Sequence, residues 1–325
     1  MKTQWGVRDY LTTLAIRCGP GRDECSIAPG IYAVGEPGPR SPVLVTANYK
    51  LTFDMLRRGL HSTTAWILVL DTRGINVWCA AGKHLFSTAE LVQRIKITGL
   101  ERMVEHRRLV LPQLGATGVA AHEVKAQSGF EVVWGPVRSR DLKHFLDNEM
   151  QAENEMRRVT FTLWERIELV PVELYLLWKT LLVALLVVIV VSGIGSGFFS
   201  LSDALQRGGM ASVVIVGAVL AGAVLTPVLL PWLPGRSFAL KGAWSGLATG
   251  LVAVGFYQGR ASWLEAVALC LFATVVSSYL AMNFTGSTPY TSPTGVEKEM
   301  RLAIPAQATL LAIALTFWVG AGFVG

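Results

Sequence analysis

One cysteine stands in a setting that could do chemistry. Cys79 lies in the string Asn76-Val77-Trp78-Cys79-Ala80-Ala81-Gly82-Lys83, a few residues after an apolar run that predicts a strand. A thiolate is both a nucleophile and a ligand for soft metals. Its small neighbours would let a large flat ligand approach the sulfur. On the residues alone, the alternative of a buried cysteine acting as an inert small hydrophobe stays open.

The first half of the chain has the alternating pattern of an α/β domain. Between the strand-like runs lie helix-like stretches at residues 89–97 and 119–127, and Ser87 with Glu90 has the spacing of a capping box. This alternation predicts a parallel sheet with crossover helices, in which ligands bind beyond the carboxyl ends of the strands. The predicted strands are Val43–Ala47, Ala65–Leu70, Arg108–Leu111 and Glu131–Trp134.

Three loops would meet at that edge of the sheet, one after each of the first three strands. Their glycines and alanines would let the backbone lie against a flat ring, and Thr46, Asn48 and Gln113 would bond amide side chains on it. The predicted cofactor-binding residues are Thr46, Asn48, Asn76, Val77, Trp78, Cys79, Ala80, Ala81, Gly82, Gln113, Gly115, Ala116 and Gly118.

Other site classes find little support in the sequence. The glycines at 115 and 118 belong to neither of the two phosphate-binding patterns of nucleotide proteins, and the five histidines lack the paired spacing of a zinc site. Cys18 and Cys25 flank a turn-rich segment that either binds a soft metal or is simply a loop. A net charge of +6 gives no reason to expect nucleic acid as a partner.

The second half of the chain predicts membrane helices. The chain is 52% hydrophobic, and its charged residues are concentrated before residue 170. Five segments are long enough to cross a hydrocarbon core. We therefore expect a cytoplasmic domain at residues 1–168 and a transmembrane domain at 169–325. The predicted spans are residues 172–198, 209–232, 238–257, 262–282 and 302–324.

Charges and small residues predict how these spans are arranged. The loop cations favour a multi-pass protein of the cytoplasmic membrane, with the N-terminus in the cytoplasm. Gly242, Gly246 and Gly250 recur every four residues, as do Gly193 and Gly197, which predicts close helix packing. Few ionisable residues fall within the spans, which disfavours a transporter. Tryptophans at span ends predict interfacial anchors, namely Trp178, Trp232, Trp263 and Trp318.

The string around Cys79 resembles the cap-helix signature of the HgcA family, the corrinoid-binding membrane proteins of mercury methylation. Residues 40–147 resemble the corrinoid-binding domain of the corrinoid iron-sulfur protein's large subunit. The resemblance implies a Rossmann-like α/β corrinoid-binding domain followed by an all-α transmembrane bundle of five helices. It also implies a cobalamin-type corrinoid in its base-off form, with the Cys79 thiolate as lower axial ligand of cobalt.

That resemblance implies a reaction and partners. A thiolate ligand below cobalt would favour transfer of the methyl group as a carbanion equivalent to Hg(II), although a radical route stays open. The implied partners are a ferredoxin-like HgcB with [4Fe-4S] clusters, a methyltetrahydrofolate-linked methyltransferase as methyl donor, and membrane lipid. The alternative function is a membrane-anchored corrinoid methyl carrier of one-carbon metabolism. Residues 283–301 resemble the loop before the last HgcA span, and we expect this loop to dock on the soluble domain.

Overall fold

The computed structural model describes every residue except 23, 289, 290, 292 and 325. The chain forms two compact units, Met1–Val159 and Thr160–Gly325. The boundary falls before the predicted one at residue 168, because the side chain of Arg166 donates hydrogen bonds to the carbonyls of Pro227 and Val228. These bonds tie the segment after Val159 to the second unit.

The first unit is built around a five-stranded sheet. The strand order is β1-β3-β2-β4-β5, and β2 to β5 pair in parallel, as predicted. β1 was not predicted and pairs antiparallel with β3 at one edge. The strands are β1 Gly30–Val34, β2 Val43–Ala47, β3 Ala65–Leu70, β4 Arg108–Leu111 and β5 Glu131–Trp134.

Helices cover both faces of this sheet and bury its central strands. All five residues of β2 are buried, as are five of the six in β3, which explains why both strands read as continuous apolar runs. The helices of this unit are α1 Val7–Cys18, α2 Lys50–Gly59, α3 Val77–Gly82, α4 Thr88–Thr98, α5 Leu100–Met103, α6 Ala121–Ser128 and α7 Leu142–Asp147.

Local capping sets the ends of α4. The Ser87 hydroxyl accepts from the Glu90 amide, and the helix stops at Gly99, whose φ of 60° suits glycine. The predicted capping box is only half formed, because the Glu90 carboxylate instead accepts from the Asp71 amide at 2.8 Å and pairs with Arg94. Glu90 thereby fastens the loop after β3 to α4.

The amino-terminal helix α1 is attached through one acidic residue. Asp9 Oδ2 accepts from the Gly6 amide at 3.0 Å, and Asp9 Oδ1 accepts from Arg57 at 2.9 Å. The Gly6 hydrogen bond and then the positive charge of Arg57 hold the pKa of Asp9 below its ordinary value, against the opposing effect of burial. The sequence reading did not predict this helix.

The second unit contains five helical segments that are long and apolar enough to cross a membrane, counted over the described residues. Its elements are α8 Leu163–Ile167, α9 Val170–Ser192, β6 Ile194–Gly195, β7 Phe198–Phe199, α10 Leu201–Leu220, a π-helical turn Ala221–Leu225, α11 Thr226–Leu229, α12 Phe238–Phe256, α13 Trp263–Asn283 and α14 Pro293–Val324.

The second of these segments begins at Leu201, earlier than the predicted residue 209. The prediction counted Arg207 among the loop cations. An unpaired charge would be costly in a membrane. In the folded bundle, Arg207 Nε lies 2.6 Å from Glu265 Oε1, and both side chains are largely buried. Arg207 also donates to the carbonyls of Ser192 and Trp318, so the charge is fully engaged by three other helices.

The glycine row of α12 packs against α13 as predicted. A Cβ at Gly242 would lie 2.5 Å from the Ala281 methyl, and one at Gly246 would overlap the Ala273 carbonyl. The hydroxyl of Ser277 donates to the Gly242 carbonyl at 2.7 Å across this contact. Small residues therefore let the two backbones approach closely and hydrogen-bond.

Two predictions about the span ends are wrong. Gly193 and Gly197 do not share a helix face, because α9 ends at Ser192 and a short β6–β7 hairpin follows. Trp318 is no interfacial anchor, since it is completely buried and its indole N–H donates to Ser192 Oγ at 2.9 Å. The other three tryptophans are exposed, as anchors would be.

The predicted docking of residues 283–301 stays a prediction. Residues 289, 290 and 292 of that segment lie outside the described residues. In the described part, Phe284 packs with Leu230 and Phe238 inside the second unit. The Glu299 carboxylate accepts from the Ala239 amide at 2.7 Å.

Candidate functional site

A crevice opens between β2 and β4, where the order in which the chain adds strands to the sheet reverses. The chain passes from β2 to β3 on one side and then crosses back to β4 on the other side of β2. Ligands of open α/β sheets bind at such a switch point, beyond the carboxyl ends of the strands. A cavity of about 260 Å³ lies there, lined by Thr46 of β2, Leu111 of β4, Gly135 after β5, Met55 of α2, Val77 of α3 and Arg17 of α1.

The short helix α3 carries Cys79 and forms for local reasons. Asn76 caps it, because the Asn76 Oδ1 accepts a hydrogen bond of 2.9 Å from the Cys79 amide. Val77, Ala80 and Ala81 are buried in the core, which leaves the other face of the helix outside. At its end the amide of Leu85 returns to the Ala80 carbonyl at 2.9 Å, so the chain turns sharply.

The outer face of α3 is open. Cys79 and Trp78 are exposed, and a Cβ built at Gly82 would meet nothing within 4 Å. The sulfur of Cys79 has no hydrogen-bond partner in the part of the chain that the structure describes. Cys79 is therefore not a buried cysteine, and its thiol is accessible to a ligand.

Unusual backbone angles bracket α3. Arg73 and Gly74 before it have φ values of 55° and 72°, and His84 after it has 58°. Left-handed conformations are uncommon for residues with a Cβ and persist only where surrounding contacts impose them. Such residues cluster at functional sites, and here they fix the direction in which α3 leaves and rejoins the fold.

Asn48 has a different role from the predicted one. It is buried, and its Oδ1 accepts from the Thr72 amide at 3.1 Å and the Gly74 amide at 2.9 Å. The Thr72 hydroxyl lies 2.8 Å from the same oxygen, and Asn48 Nδ2 reaches Asp71 at 3.4 Å. Asn48 therefore holds the loop between β3 and α3 through its side-chain oxygen, which is not available to a ligand.

Gly115 and Gly118 serve packing. A Cβ at Gly115 would lie 2.6 Å from the Phe86 ring, and one at Gly118 would overlap the Phe86 carbonyl and come within 3.0 Å of Ala81 Cα. Both glycines thus let the loop after β4 pack on the end of α3, and neither faces open space. Ala116, between them, is exposed.

The remaining predicted residues differ in availability. Thr46 is buried and lines the cavity. Gln113 Oε1 accepts from Arg157 at 2.7 Å, which engages its carbonyl within the first unit. Of the predicted residues, the crevice thus brings together Thr46 and Val77, the first residue of α3. Trp78, Cys79, Gly82 and Ala116 are exposed.

Sequence reasoning missed one side of the crevice. Leu51 and Met55 of α2 line the cavity, and their four-residue spacing on one helix face was a usable signal. Arg17 and Arg138 also line it, and nothing in their sequence context pointed there. They give the apolar cavity a cationic margin.

The donor set limits which metals the site could bind. Across the described residues, no group of three or more His, Cys, Asp or Glu side chains could hold a metal ion. Cys18 and Cys25 are partly buried free thiols apart from Cys79 in sequence. A single exposed sulfur cannot hold a bare ion, but it can complete the coordination of a metal that a ligand already surrounds.

The fold and site define a mixed α/β unit followed by helices that could cross a membrane, and part of it matches a known family. Residues 18–146 match the family model of the CO dehydrogenase/acetyl-CoA synthase delta subunit. This stretch contains α3 and the crevice apart from Arg17. It does not extend to the second unit.

Curated proteins with similar sequences match part of the chain. The acetyl-CoA decarbonylase/synthase complex subunit gamma of Methanopyrus kandleri is 33% identical over 147 residues, 45% of this chain and 31% of that protein. The same subunit of Archaeoglobus fulgidus is 33% identical over 128 residues, 39% and 27%. The corrinoid/iron-sulfur protein large subunit of Moorella thermoacetica is 30% identical over 114 residues, 34% and 25%. The chain thus spans less than a third of the length of these relatives.

Proposed function

We propose that this chain is a membrane-anchored corrinoid protein that transfers a methyl group to Hg(II), forming methylmercury. The exposed thiol of Cys79 on the capped helix α3, beside the switch-point crevice, carries the proposal. One relative, 30% identical over 114 residues, is a corrinoid/iron-sulfur protein large subunit. We infer the mercury substrate from the resemblance of residues 76–83 to the HgcA signature.

The residues present fit a corrinoid. This cofactor brings its own four equatorial ligands, so the protein needs to supply one axial donor and an open face. Cys79 is a single accessible donor, and Trp78, Gly82 and Ala116 leave the surface around it open. A cavity of about 260 Å³ is too small for the whole ring and would hold a side arm beside Thr46.

The chemistry divides between cofactor and protein. A bound corrinoid supplies a cobalt centre that carries the methyl group. Cys79 would act as the lower axial ligand, and a soft anionic sulfur favours release of methyl with its electron pair, as the electrophile Hg(II) requires. Asn76 holds the first turn of α3 and so fixes the direction of the sulfur. With a thiolate in that place the cofactor would be base-off.

Partners belong to the same proposal. Transfer of methyl with its electron pair must be followed by reduction, and the described residues include no cysteine cluster for an iron-sulfur centre. We therefore propose a ferredoxin-like HgcB partner with [4Fe-4S] clusters as electron donor. A methyltetrahydrofolate-linked methyltransferase would supply methyl. Five apolar helices fit a multi-pass protein of the cytoplasmic membrane, with its α/β unit and N-terminus on the cytoplasmic side.

A second candidate is a membrane-anchored methyl carrier of one-carbon metabolism. It is favoured by the relatives, which are subunits of acetyl-CoA decarbonylase/synthase complexes. Such a carrier passes methyl without its electron pair, so a thiolate ligand brings it no advantage. The two functions therefore differ in what removal of the Cys79 sulfur should do.

The test compares Cys79→Ala with His84→Ala in the full chain in cells supplied with Hg(II). His84 is an exposed residue of the turn after α3 and the nearest alternative ligand in sequence. Since loss of outer-shell partners alone costs metal sites about 10–100-fold, Cys79→Ala should lower methylmercury formation by more than about 100-fold. His84→Ala should change it little.

Corrinoid content is measured on the same purified proteins. Both variants should retain cobalt-corrinoid absorbance, with a shifted spectrum only for Cys79→Ala. Wild-type levels of methylmercury from Cys79→Ala would refute the ligand role. A wild-type chain that binds corrinoid but forms no methylmercury would favour the carrier. Purified wild-type protein without corrinoid absorbance would refute both candidates.

A further inference from the structure

The outward face of α1 is apolar and open. Val7, Tyr10, Leu11 and Leu14 recur at the spacing of one helix face, and all four are exposed. The buried residues of the same helix, Thr13 and Ile16, point the other way. Four large apolar side chains together on one short helix are unusual for a surface that faces water.

The α/β unit holds this helix firmly. Arg57 of α2, itself buried, donates to Asp9 at 2.9 Å and to the Lys2 carbonyl at 2.9 Å. The indole of Trp5 donates to the Asp54 carbonyl at 3.2 Å. The face is therefore presented by a fixed helix.

Cations and amphipathic aromatic rings border the apolar face. The Arg58 guanidinium lies 4.9 Å from the Trp5 ring centroid and 5.9 Å from that of Tyr10. Arg8 and Lys2 are exposed beside them. Asp9, the acidic residue of α1, is already paired with Arg57, so the border of the face is positive. Trp, Tyr and Arg beside an apolar stripe are the composition of a helix at a lipid interface.

The connection to the second unit keeps a bilayer within reach. The first unit ends at Val159, and the first helical segment that could cross a membrane begins at Leu163. A folded unit of this length has a radius of gyration of about 15 Å. The short link therefore keeps this unit tethered to any bilayer that contains the following helices.

We propose that α1 lies in the surface of an anionic bilayer, with Val7, Leu11 and Leu14 among the lipid chains and Arg8 and Arg58 at the headgroups. Amphipathic helices bind in this way to a depth of about 5–10 Å, with basic residues attracted to acidic lipids. This contact would give the α/β unit a second attachment besides its covalent one. The inference is independent of the chemistry proposed for Cys79.

The experiment uses the full chain with a nitroxide at position 11. Cys18, Cys25, Cys79 and Cys270 are first replaced by serine, and Leu11→Cys is labelled in nanodiscs of phosphatidylcholine with phosphatidylglycerol. Ile97→Cys on α4 is the matched control, because Ile97 is 63% exposed and Leu11 62%. Relaxation by oxygen, which concentrates in lipid, is compared with relaxation by a water-soluble nickel chelate.

We expect the label at position 11 to be several-fold more accessible to oxygen and less accessible to nickel than the label at 97. Adding Arg8→Glu and Arg58→Glu, or using phosphatidylcholine alone, should reduce this difference. Equal water exposure at both positions would overturn the proposal. Protection of position 11 from both reagents would also overturn it, because a partner protein or a second copy would then cover α1.

A second measurement needs no substitution. In the unmodified chain, hydrogen exchange of the α1 amides should slow several-fold when phosphatidylglycerol is added to phosphatidylcholine nanodiscs, while exchange in α4 stays unchanged. The same α1 exchange in both lipids would contradict the role given to the cations.

Discussion

Replacing Asn48 by alanine tests the architecture beneath α3. Asn48 Oδ1 is the acceptor for the amides of Thr72 and Gly74, and Thr72 is completely buried. The Thr72 hydroxyl would keep a partner, because the Ile75 carbonyl lies 2.7 Å away. The substitution thus leaves two backbone amides without their acceptor, the fully buried amide of Thr72 and the partly buried amide of Gly74.

The expected cost follows from these contacts. A buried donor without a partner costs about 1–3 kcal/mol, and a partly buried one less because water can reach it. Asn48→Ala should therefore lower the free energy of unfolding of the α/β unit by about 2–4 kcal/mol. That corresponds to about a 30- to 1,000-fold larger fraction of molecules in which the α/β unit is open to hydrogen exchange.

Native-state hydrogen exchange of the β3 amides measures this population within the full chain, where a single melting transition would mix the two units. Asn148→Ala is the matched control, because Asn148 is exposed and bonds only locally, through Nδ2, to the Gln151 carbonyl. It should change stability by less than about 0.5 kcal/mol. If Asn48→Ala exchanges like Asn148→Ala, then Asn48 does not hold the loop and the predicted ligand contact becomes the better explanation.

Three further substitutions test the rest of the fold. Arg207→Ala should destabilise the bundle by about 3–5 kcal/mol because Glu265 is left unpaired, and adding Glu265→Leu should restore much of the loss in detergent unfolding. Gly246→Ala should cost about 1–3 kcal/mol through overpacking, whereas Gly255→Ala on the same helix, where a Cβ meets nothing, should cost little. Asp9, with a folded pKa below 3.8, stabilises the attachment of α1 above about pH 3.8. This contribution is lost as pH falls through the folded pKa, so hydrogen exchange of the α1 amides should accelerate in that pH range. Asp9→Asn should remove this pH-dependent acceleration. The same pH profile in Asp9→Asn as in the wild type would contradict the role of Asp9.

The central sheet could be predicted from sequence because its signals are local. β2 to β5 are short β-rich runs between turn residues, and the structure gives them the predicted bounds. β1 was missed although four residues of its pattern, Gly-Ile-Tyr-Ala-Val, are apolar, and in the structure its residues are mostly half-buried. Its position at the edge is set by pairing with β3, which is a tertiary effect.

The positions of the candidate-site loops could be predicted from the sequence, but the roles of their individual residues could not. The loops were located correctly, since the edge where parallel strands end follows from the alternation of elements. Whether Asn48 faces a ligand or Thr72, and whether Gly118 faces a ring or Phe86, depends on contacts between residues far apart in sequence. Arg207 was read as a loop residue for the same reason, since its partner Glu265 lies 58 positions away.

That distance has a consequence for how the protein is made. Chain elongation adds about 5–20 residues per second, so Arg207 is added to the chain about 3–12 s before Glu265. During that interval Glu265 is absent, so the ion pair that joins the second apolar segment to the fourth cannot form. The contact between these two segments is therefore completed only after the fourth has been synthesised.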